Sequence, residues 1–436
     1  MPRPPAASAA GAASPGRPAG ARVVIDLRPL QEPERTPITA AYLDRLMRAF
    51  AARPLEHESF VAVLRTLRDD PSDALEAAGL PMAGRRRVPP TARVFRSAGL
   101  TLDSFLLRGA EVGTTWRATE SGAAGSIYHT AGGAAPLASG LPLVATLLDL
   151  APWELPEVYA ASPAARFGHR LRARVLHDAV RLIVCSRATA DSARRLLRIP
   201  AERIAVVPLA PDPAFQPLAA SADRVQALRA RLALPERYLV FAGRYDARKD
   251  LGTLFRAIGA LREEAPIRGT EARPPVLVLA GALGSDESDS VGLARAAARH
   301  GVGDLVRQVP RLGPAELATL EGGARAVVFP AVSEGTGLVV QEALAVGTPV
   351  VASRVGPLPE LVGKAGIVVE ARDPDRLAAA LRVMWADERV RGPIARAAQT
   401  RAHGSRRGWA EVAEETRAVY AAAAAEAPIR GATSGS

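Results

Sequence analysis

SEGTGLVVQEALAVGTPVVAS, residues 333–353, sets two glutamates, Glu334 and Glu342, eight positions apart with Gly335 and Gly337 between them. The apolar run ARAVVFP precedes it, and PVVAS closes it. The pattern predicts a strand over 326–330 and a helix over 337–346, ended by Gly347 and the following Thr-Pro. The acids and glycines therefore stand where a strand gives way to a helix. The first turn of a helix carries unpaired N–H groups and partial positive charge, so it attracts phosphate. Glycine lets the backbone approach a ligand closely. Carboxylates accept hydrogen bonds from hydroxyls, so the loop suits a nucleotide, a sugar, or the two joined. Capping alone also places acids at helix starts and stabilises them by about 0.3–1 kcal/mol. Glu342 is different: it interrupts the apolar helix LVVQEALAV and needs a partner or a solvated cleft.

A second stretch, FAGRYDARKDL (241–251), puts Arg244 and Lys249 just after another apolar strand. Both cations can reach the same phosphates from a strand's C-terminal edge, where ligands sit in doubly wound sheets. A solvated loop charge is the alternative. Lys249 and Lys364 are the only lysines, and every other basic residue is arginine, so basic bias does not account for Lys249.

Working outward, continuous apolar runs recur: RVVIDLR (22–28), LVATLLDL (143–150), RLIVCS (181–186) and RIAVVPL (203–209). After the proline-rich joint PLAPDPAFQP (208–217) come YLVFAG, PVLVLAG, ARAVVFP, PVVAS and GIVVE. Helical patterns lie between, at about 39–52, 164–179, 188–197 and 251–261, while residues 85–96, rich in Arg and Pro, read as loop. Unbroken apolar strands belong to parallel sheets covered on both faces. The predicted fold class is α/β, two doubly wound Rossmann-like domains facing a central cleft. The expected divisions are a disordered Ala/Pro/Gly tail (1–21), an acceptor-side domain (22–207), a nucleotide-sugar domain (208–385), helices returning toward the first domain (386–425) and a second tail (426–436).

Composition agrees with this class. The 436 residues are 48% hydrophobic, enough for two cores. The single cysteine, Cys185, excludes an internal disulfide framework and a Cys-based zinc site, and reads as a small core residue. The net charge is +11, concentrated in the N-terminal half. Aromatics are only 4% and no nucleic-acid motif is present, which argues against a DNA or RNA partner. With no apolar signal segment and no long uncharged apolar run, the expected location is cytoplasmic.

These segments resemble the retaining glycosyltransferases of the GT-B fold that carry a Glu-x7-Glu signature (group 1, family 4-like). GRYDARKD resembles their Gly-Arg-x4-Lys donor motif, VVPLAPDPAF their interdomain joint, and GWAEVAEETRAVY their final helix. The resemblance spans about residues 140–425. It implies that Arg244 and Lys249 bind the donor diphosphate, and that Glu342 binds the ribose hydroxyls. Glu334 would be the catalytic residue at the transferred sugar. Gly335, Thr336, Gly337, Leu338 and Val339 would hold sugar and phosphate through the backbone. The reaction it implies is metal-independent sugar transfer with retention, with the nucleotide sugar as co-substrate and no other cofactor. The acceptor would be a saccharide or a lipid-linked molecule. Two departures stand out. Thr336 replaces the usual Phe, and Thr146-Leu-Leu148-Asp149 replaces Thr-x-His-Asp. The glycine-rich loop after the first strand is also absent, with Arg35 or Thr36 as substitutes. The altered acceptor half leaves two other readings open: a non-catalytic nucleotide-sugar-binding scaffold, or another GT-B enzyme such as an epimerase.

Asp149 and His129 are the acceptor-side candidates, with His129 expected at the cleft mouth or, alternatively, as a packing residue. Asp373-Pro-Asp375 reads as a helix cap rather than a metal motif. RFGHRLRARVLHDAVR (166–181) is either a solvated helix face or a surface for an anionic membrane. LAGALGSD (279–286) lacks the spacing of a dinucleotide fingerprint.

Overall fold

The computed structural model describes residues 21–89, 107, 126–131, 136–137, 139–263, 274–281, 287–404 and 407–426. The expected tails up to residue 20 and from 427 onward, and residues 282–286 of LAGALGSD, lie outside them.

Two parallel sheets form the chain. The first holds β1 (Arg22–Asp26), β2 (Ser59–Arg65), β3 (Met82–Val88), β4 (Ser126–Ala131), β5 (Leu143–Leu147), β6 (Arg181–Val184) and β7 (Ile204–Val206), in the order β3-β2-β1-β4-β5-β6-β7. The second holds β8 (Leu239–Ala242), β9 (Leu277–Ala280), β10 (Val306–Gln308), β11 (Ala326–Phe329), β12 (Val350–Ser353) and β13 (Gly366–Val369), in the order β10-β9-β8-β11-β12-β13. Strand order reverses beside β1 in one sheet and beside β8 in the other, so each has a crevice at its centre. β8, β9, β11 and β12 are buried along their whole length, as helices on both faces require.

Several elements depart from the sequence reading. β2 and β4 add strands to the first sheet. Residues 82–88, partly assigned to a loop, form β3, which among the described residues pairs only with β2. Its arginines suit an edge, where charge blocks further strand addition. Arg85 reaches Asp73 and Glu76 at 2.8 and 2.6 Å. The last helices divide. Glu388–His403 stays on the second domain, where Ala398 joins the core. Only Trp409–Ala425 crosses back, burying Trp409, Val412, Ala413 and Tyr420 in the first domain.

Candidate active site

β8 and β11 are neighbours, so the loops that follow them meet over the sheet's C-terminal edge. Their junction is a backbone bond from Val332 N to Arg248 O, 2.7 Å. After β8, Asp246 caps a short turn by accepting from Arg248 N, which aims the buried Lys249 side chain inward. Lys249 Nζ lies 4.2 Å from the Phe329 ring centroid and donates to Glu334 Oε2 at 2.7 Å. After β11, Glu334 Oε1 accepts from Thr336 N, Thr336 Oγ1 and Gly337 N, at 3.2, 3.0 and 3.1 Å. The carboxylate thus closes the turn that leads into the helix Leu338–Ala345 and receives a lysine at once. Burial pushes its pKa up, but Lys249 and Arg248 more than offset this and hold it down at about 2.

Gly337 takes φ +63 at the N-cap of that helix, a conformation that favours glycine. Gly335 serves a close approach instead. A Cβ there would stand 2.1 Å from Leu148 O across the cleft, and Thr189 Oγ1 donates to Gly335 O at 2.9 Å. Both glycines shape the loop. Thr336, Leu338 and Val339 line a cavity of about 270 Å³ together with Arg244, Lys249, Glu334 and Glu342. The widely separated candidates of the donor motifs therefore converge on one space between the domains.

Glu342 sits one turn into the helix, 3.9 Å from Arg45 of the Pro37–Ala52 helix. Burial raises its pKa to about 7; Arg45 opposes the rise and Asp212 adds to it. Arg45 also donates to Asp212 Oδ2 at 2.7 Å and lies 5.9 Å from the Trp409 ring centroid. Arg45 was not legible as a site residue, because its role depends on a helix from the other domain. Arg248 and Arg311 also line the cavity. Arg248 sits beside Lys249 in the motif, but its own function emerges only across the cleft: it donates to Asp149 Oδ2 at 2.9 Å and to Asp246 Oδ2 at 3.1 Å.

The acceptor-side candidates separate. Asp149 lines a second cavity of about 200 Å³ beside the first, with Arg35, Thr36 and Arg244. Arg244 is exposed and donates to Arg35 O at 3.2 Å. His129 is not at the cleft mouth. It is fully buried, hydrogen-bonded to Thr146 Oγ1 at 2.9 Å and to Tyr420 OH at 2.7 Å. Burial lowers its pKa to about 3, so it stays neutral and ties the last helix to the first sheet. Asp373 is a helix cap, accepting from Arg376 N at 2.9 Å.

Comparison with known proteins places both halves. A family model described as "Glycosyl transferases group 1" matches residues 226–401, and one described as "Glycosyltransferase Family 4" matches residues 39–215. A D-inositol 3-phosphate glycosyltransferase of Streptomyces avermitilis is 36% identical over 292 residues, covering 65% of this chain and 61% of that protein. The chain spans about three-fifths of the length of such curated relatives. Among solved structures, sucrose-phosphate synthase from Thermosynechococcus elongatus aligns with a TM-score of 0.66 at 21% identity, over 92% of this chain and 98% of that one. Anabaena HepE in complex with UDP aligns with a TM-score of 0.64 at 18% identity, over 92% and 100%. The architecture is the GT-B fold, and the chain belongs to the group 1 glycosyltransferase family.

Proposed function

We propose that the chain transfers a sugar, with retention, from a nucleotide-diphosphate donor to a saccharide or lipid-linked acceptor. The carrying observation is that Arg244, Lys249, Glu334 and Glu342 line one interdomain cavity. Glu342 accepts the ribose hydroxyls, and Arg244 with Lys249 faces the diphosphate. The bond from the anomeric carbon to the terminal phosphate oxygen breaks. An acceptor oxygen bonds to the same carbon on the same face, and its proton passes to the departing phosphate. Negative charge grows on the leaving group, and fixed cations beside a helix start stabilise it without reorganising, so no metal is needed in this reading. Glu334, held ionised by Lys249, faces positive charge developing on the sugar. The relatives named as D-inositol 3-phosphate glycosyltransferases support a cyclic polyol or saccharide as acceptor.

The test is turnover of a nucleotide-sugar panel with purified protein. Lys249→Ala and Glu342→Ala should each lower kcat/KM at least 100-fold with the circular dichroism spectrum retained; wild-type rates in both would refute the assignment. One observation favours the binding-protein reading. Leu148 stands where the family places a histidine, and it packs into the apolar core. Tight nucleotide-sugar binding with no turnover on any acceptor would select that alternative.

A membrane-facing side fits the same reading. The helix Pro163–His177 exposes Arg166, Phe167, Arg170 and Arg174 on successive turns. Arginines around an exposed aromatic suit anionic lipid headgroups. Among the described residues no helix is long and apolar enough to cross a membrane. Flotation with anionic but not neutral vesicles, weakened by Phe167→Ser, is the expected outcome; equal recovery with both vesicle types would exclude it.

A further inference from the structure

Arg45 is the one cation that the first domain contributes to the residues lining the donor cavity; Arg244, Arg248, Lys249 and Arg311 come from the second. It stands in the third turn of the Pro37–Ala52 helix. Its guanidinium lies 5.9 Å from the ring centroid of Trp409, which packs in the first domain's core beside Tyr42, ring centroids 6.2 Å apart. What the guanidinium reaches lies on the other side. It donates to Asp212 Oδ2 at 2.7 Å and stands 3.9 Å from Glu342 Oε1. Asp212 belongs to the proline-rich joint, whose Phe215 packs with Ala345 and Val346 at the end of the helix that carries Glu342. One side chain therefore links the first domain to the joint and to the buried acid of the second.

The two contacts differ in kind. The one to Asp212 is a charge-assisted hydrogen bond that fixes the guanidinium. Glu342, at 3.9 Å, is beyond hydrogen-bond reach but well within range of the charge. Arg45 thus favours the ionised form of Glu342 without occupying its lone pairs, which stay open to a ligand hydroxyl. Of the groups that face this carboxyl, Arg45 and the Asp212 backbone N–H favour ionisation. The Asp212 carboxylate opposes it, and Glu321 of the Pro314–Gly322 helix feels the Glu342 charge. Burial brings Glu342 to about 7, so one close cation sets its charge near neutral pH.

We propose that Arg45 is a positioning residue that couples nucleoside binding to domain closure: it reaches Glu342 only when the domains meet, and there keeps that carboxylate charged and open to the ligand's hydroxyls. The proposal rests on the transfer reading, which assigns those hydroxyls to Glu342, and adds to it a residue of the opposite domain. The linkage is reciprocal. Closure strengthens the hold on the nucleoside, and the nucleoside favours closure by the same factor. Transfer gains from this, because the cleft that excludes water forms fully only around a bound donor.

Calorimetry with uridine, guanosine and adenosine diphosphates selects the one that binds, and its affinity is then followed from about pH 5.5 to 9. Arg45→Met keeps a stem against Trp409 and removes the charge. Its affinity should rise through a midpoint about one pH unit above that of wild type, leaving binding about fivefold weaker at pH 7 but within about twofold at pH 9. Arg45→Lys should return the midpoint at least halfway. Asp212→Asn keeps the backbone N–H and removes the like charge, so its midpoint should move down. Midpoints that moved together in Arg45→Met and Asp212→Asn would mark a merely structural contact and overturn the proposal. Arg48→Met, one turn on and exposed, should match wild type. In turnover, the Arg45→Met loss should fall mainly on the donor KM rather than kcat. Small-angle scattering reads closure: the diphosphate should contract wild type and Arg48→Met more than Arg45→Met. An unmoved midpoint in Arg45→Met, or the same scattering response in all three, would overturn the proposal and leave the transfer reading standing. Stability against pH gives the Glu342 titration without nucleotide, and its fall should extend about one pH unit higher in Arg45→Met. That shift, with no diphosphate bound by wild type, would keep the Arg45–Glu342 pair and reject the transfer reading.

Discussion

Between pH 4.5 and 7 Glu342 keeps a proton in the folded chain that it loses when unfolded, because burial raises its pKa from 4.5 to about 7. The folded state binds more protons across that window, so stability from this group falls as pH rises through it. In the proposed donor site the carboxylate form is the stronger acceptor for a nucleotide's hydroxyls, so under that proposal binding and stability pull in opposite directions. Glu342→Gln should therefore be more stable than wild type at pH 8, by about 1–3 kcal/mol. It should also bind nucleoside diphosphate at least tenfold more weakly, and lack the rise in affinity through pH 7 that is expected of wild type. Denaturant melts and calorimetry at pH 5.5 and 8 check both; a Gln variant less stable at pH 8 would contradict the account. Glu321 extends the argument. It is fully buried, neither carboxyl oxygen has a partner among the described residues, and burial with the Glu342 charge raises its pKa well above the usual value. A neutral, unpaired buried acid contributes little that leucine would not. Glu321→Leu should raise stability by about 1–2 kcal/mol, and a lower melting temperature would show that the carboxyl has a partner role.

The loop between β11 and the helix Leu338–Ala345 carries most of what local sequence can encode. Its strand is an unbroken apolar run, and its helix ends at a glycine. Hence its boundaries and residues were legible. Its contacts were not. Gly335 could be read as a residue that lets a ligand close in, yet the backbone that approaches is that of Leu148 and Asp149 in the other domain. The same limit explains β4. SIYHTA places Tyr128, His129 and Thr130 in a central strand, and His129 is tolerated only because Thr146 and Tyr420 satisfy it, from a neighbouring strand and from a helix almost 300 residues on. β3 hid for another reason, since an edge strand needs only one apolar side and can fill with arginine. Gly335→Ala tests the loop's role. A methyl group 2.1 Å from Leu148 O and 2.6 Å from Asp149 Cα meets backbone on both counts, so the domains must move apart. Turnover should fall at least 100-fold, with nucleotide affinity, assigned to the second domain in the proposed function, reduced less than tenfold. Small-angle scattering should register a larger radius of gyration. Full activity would mean that the closed arrangement is not the working one.

Two chain crossings join the domains, and they are fastened to each other. Arg407 Nε donates to Pro208 O at 2.7 Å, and Trp409 Nε1 donates to Pro211 O at 3.2 Å. The joint after β7 and the return before the last helix thus form one hinge. Beyond it, Trp409–Ala425 completes the first domain's core although it follows the whole second sheet in the chain, so the first domain cannot finish folding until the second has been made. The anchor is a buried ion pair. Arg417 Nε and Nη2 donate to Glu58 Oε1 and Oε2 at 2.7 and 2.6 Å, and Nη2 also donates to Arg53 O at 2.8 Å. Both side chains are nearly inaccessible, at 7% and 2%, and the guanidinium lies 4.8 Å from the Phe50 ring centroid. Removing one partner leaves a buried charge unpaired, whereas replacing both by apolar groups of similar size costs little. Arg417→Ala should destabilise the first domain by about 3–5 kcal/mol, and Glu58→Leu with Arg417→Met should recover most of it. Thermal scans with and without nucleoside diphosphate resolve where the loss falls. In Arg417→Ala the early transition should move down and ignore the nucleotide, while the later one, from the domain holding Lys249 and Glu342, should still rise on binding. A single transition that shifts as a unit would instead make the two domains one cooperative body, with the hinge as its stiffest part.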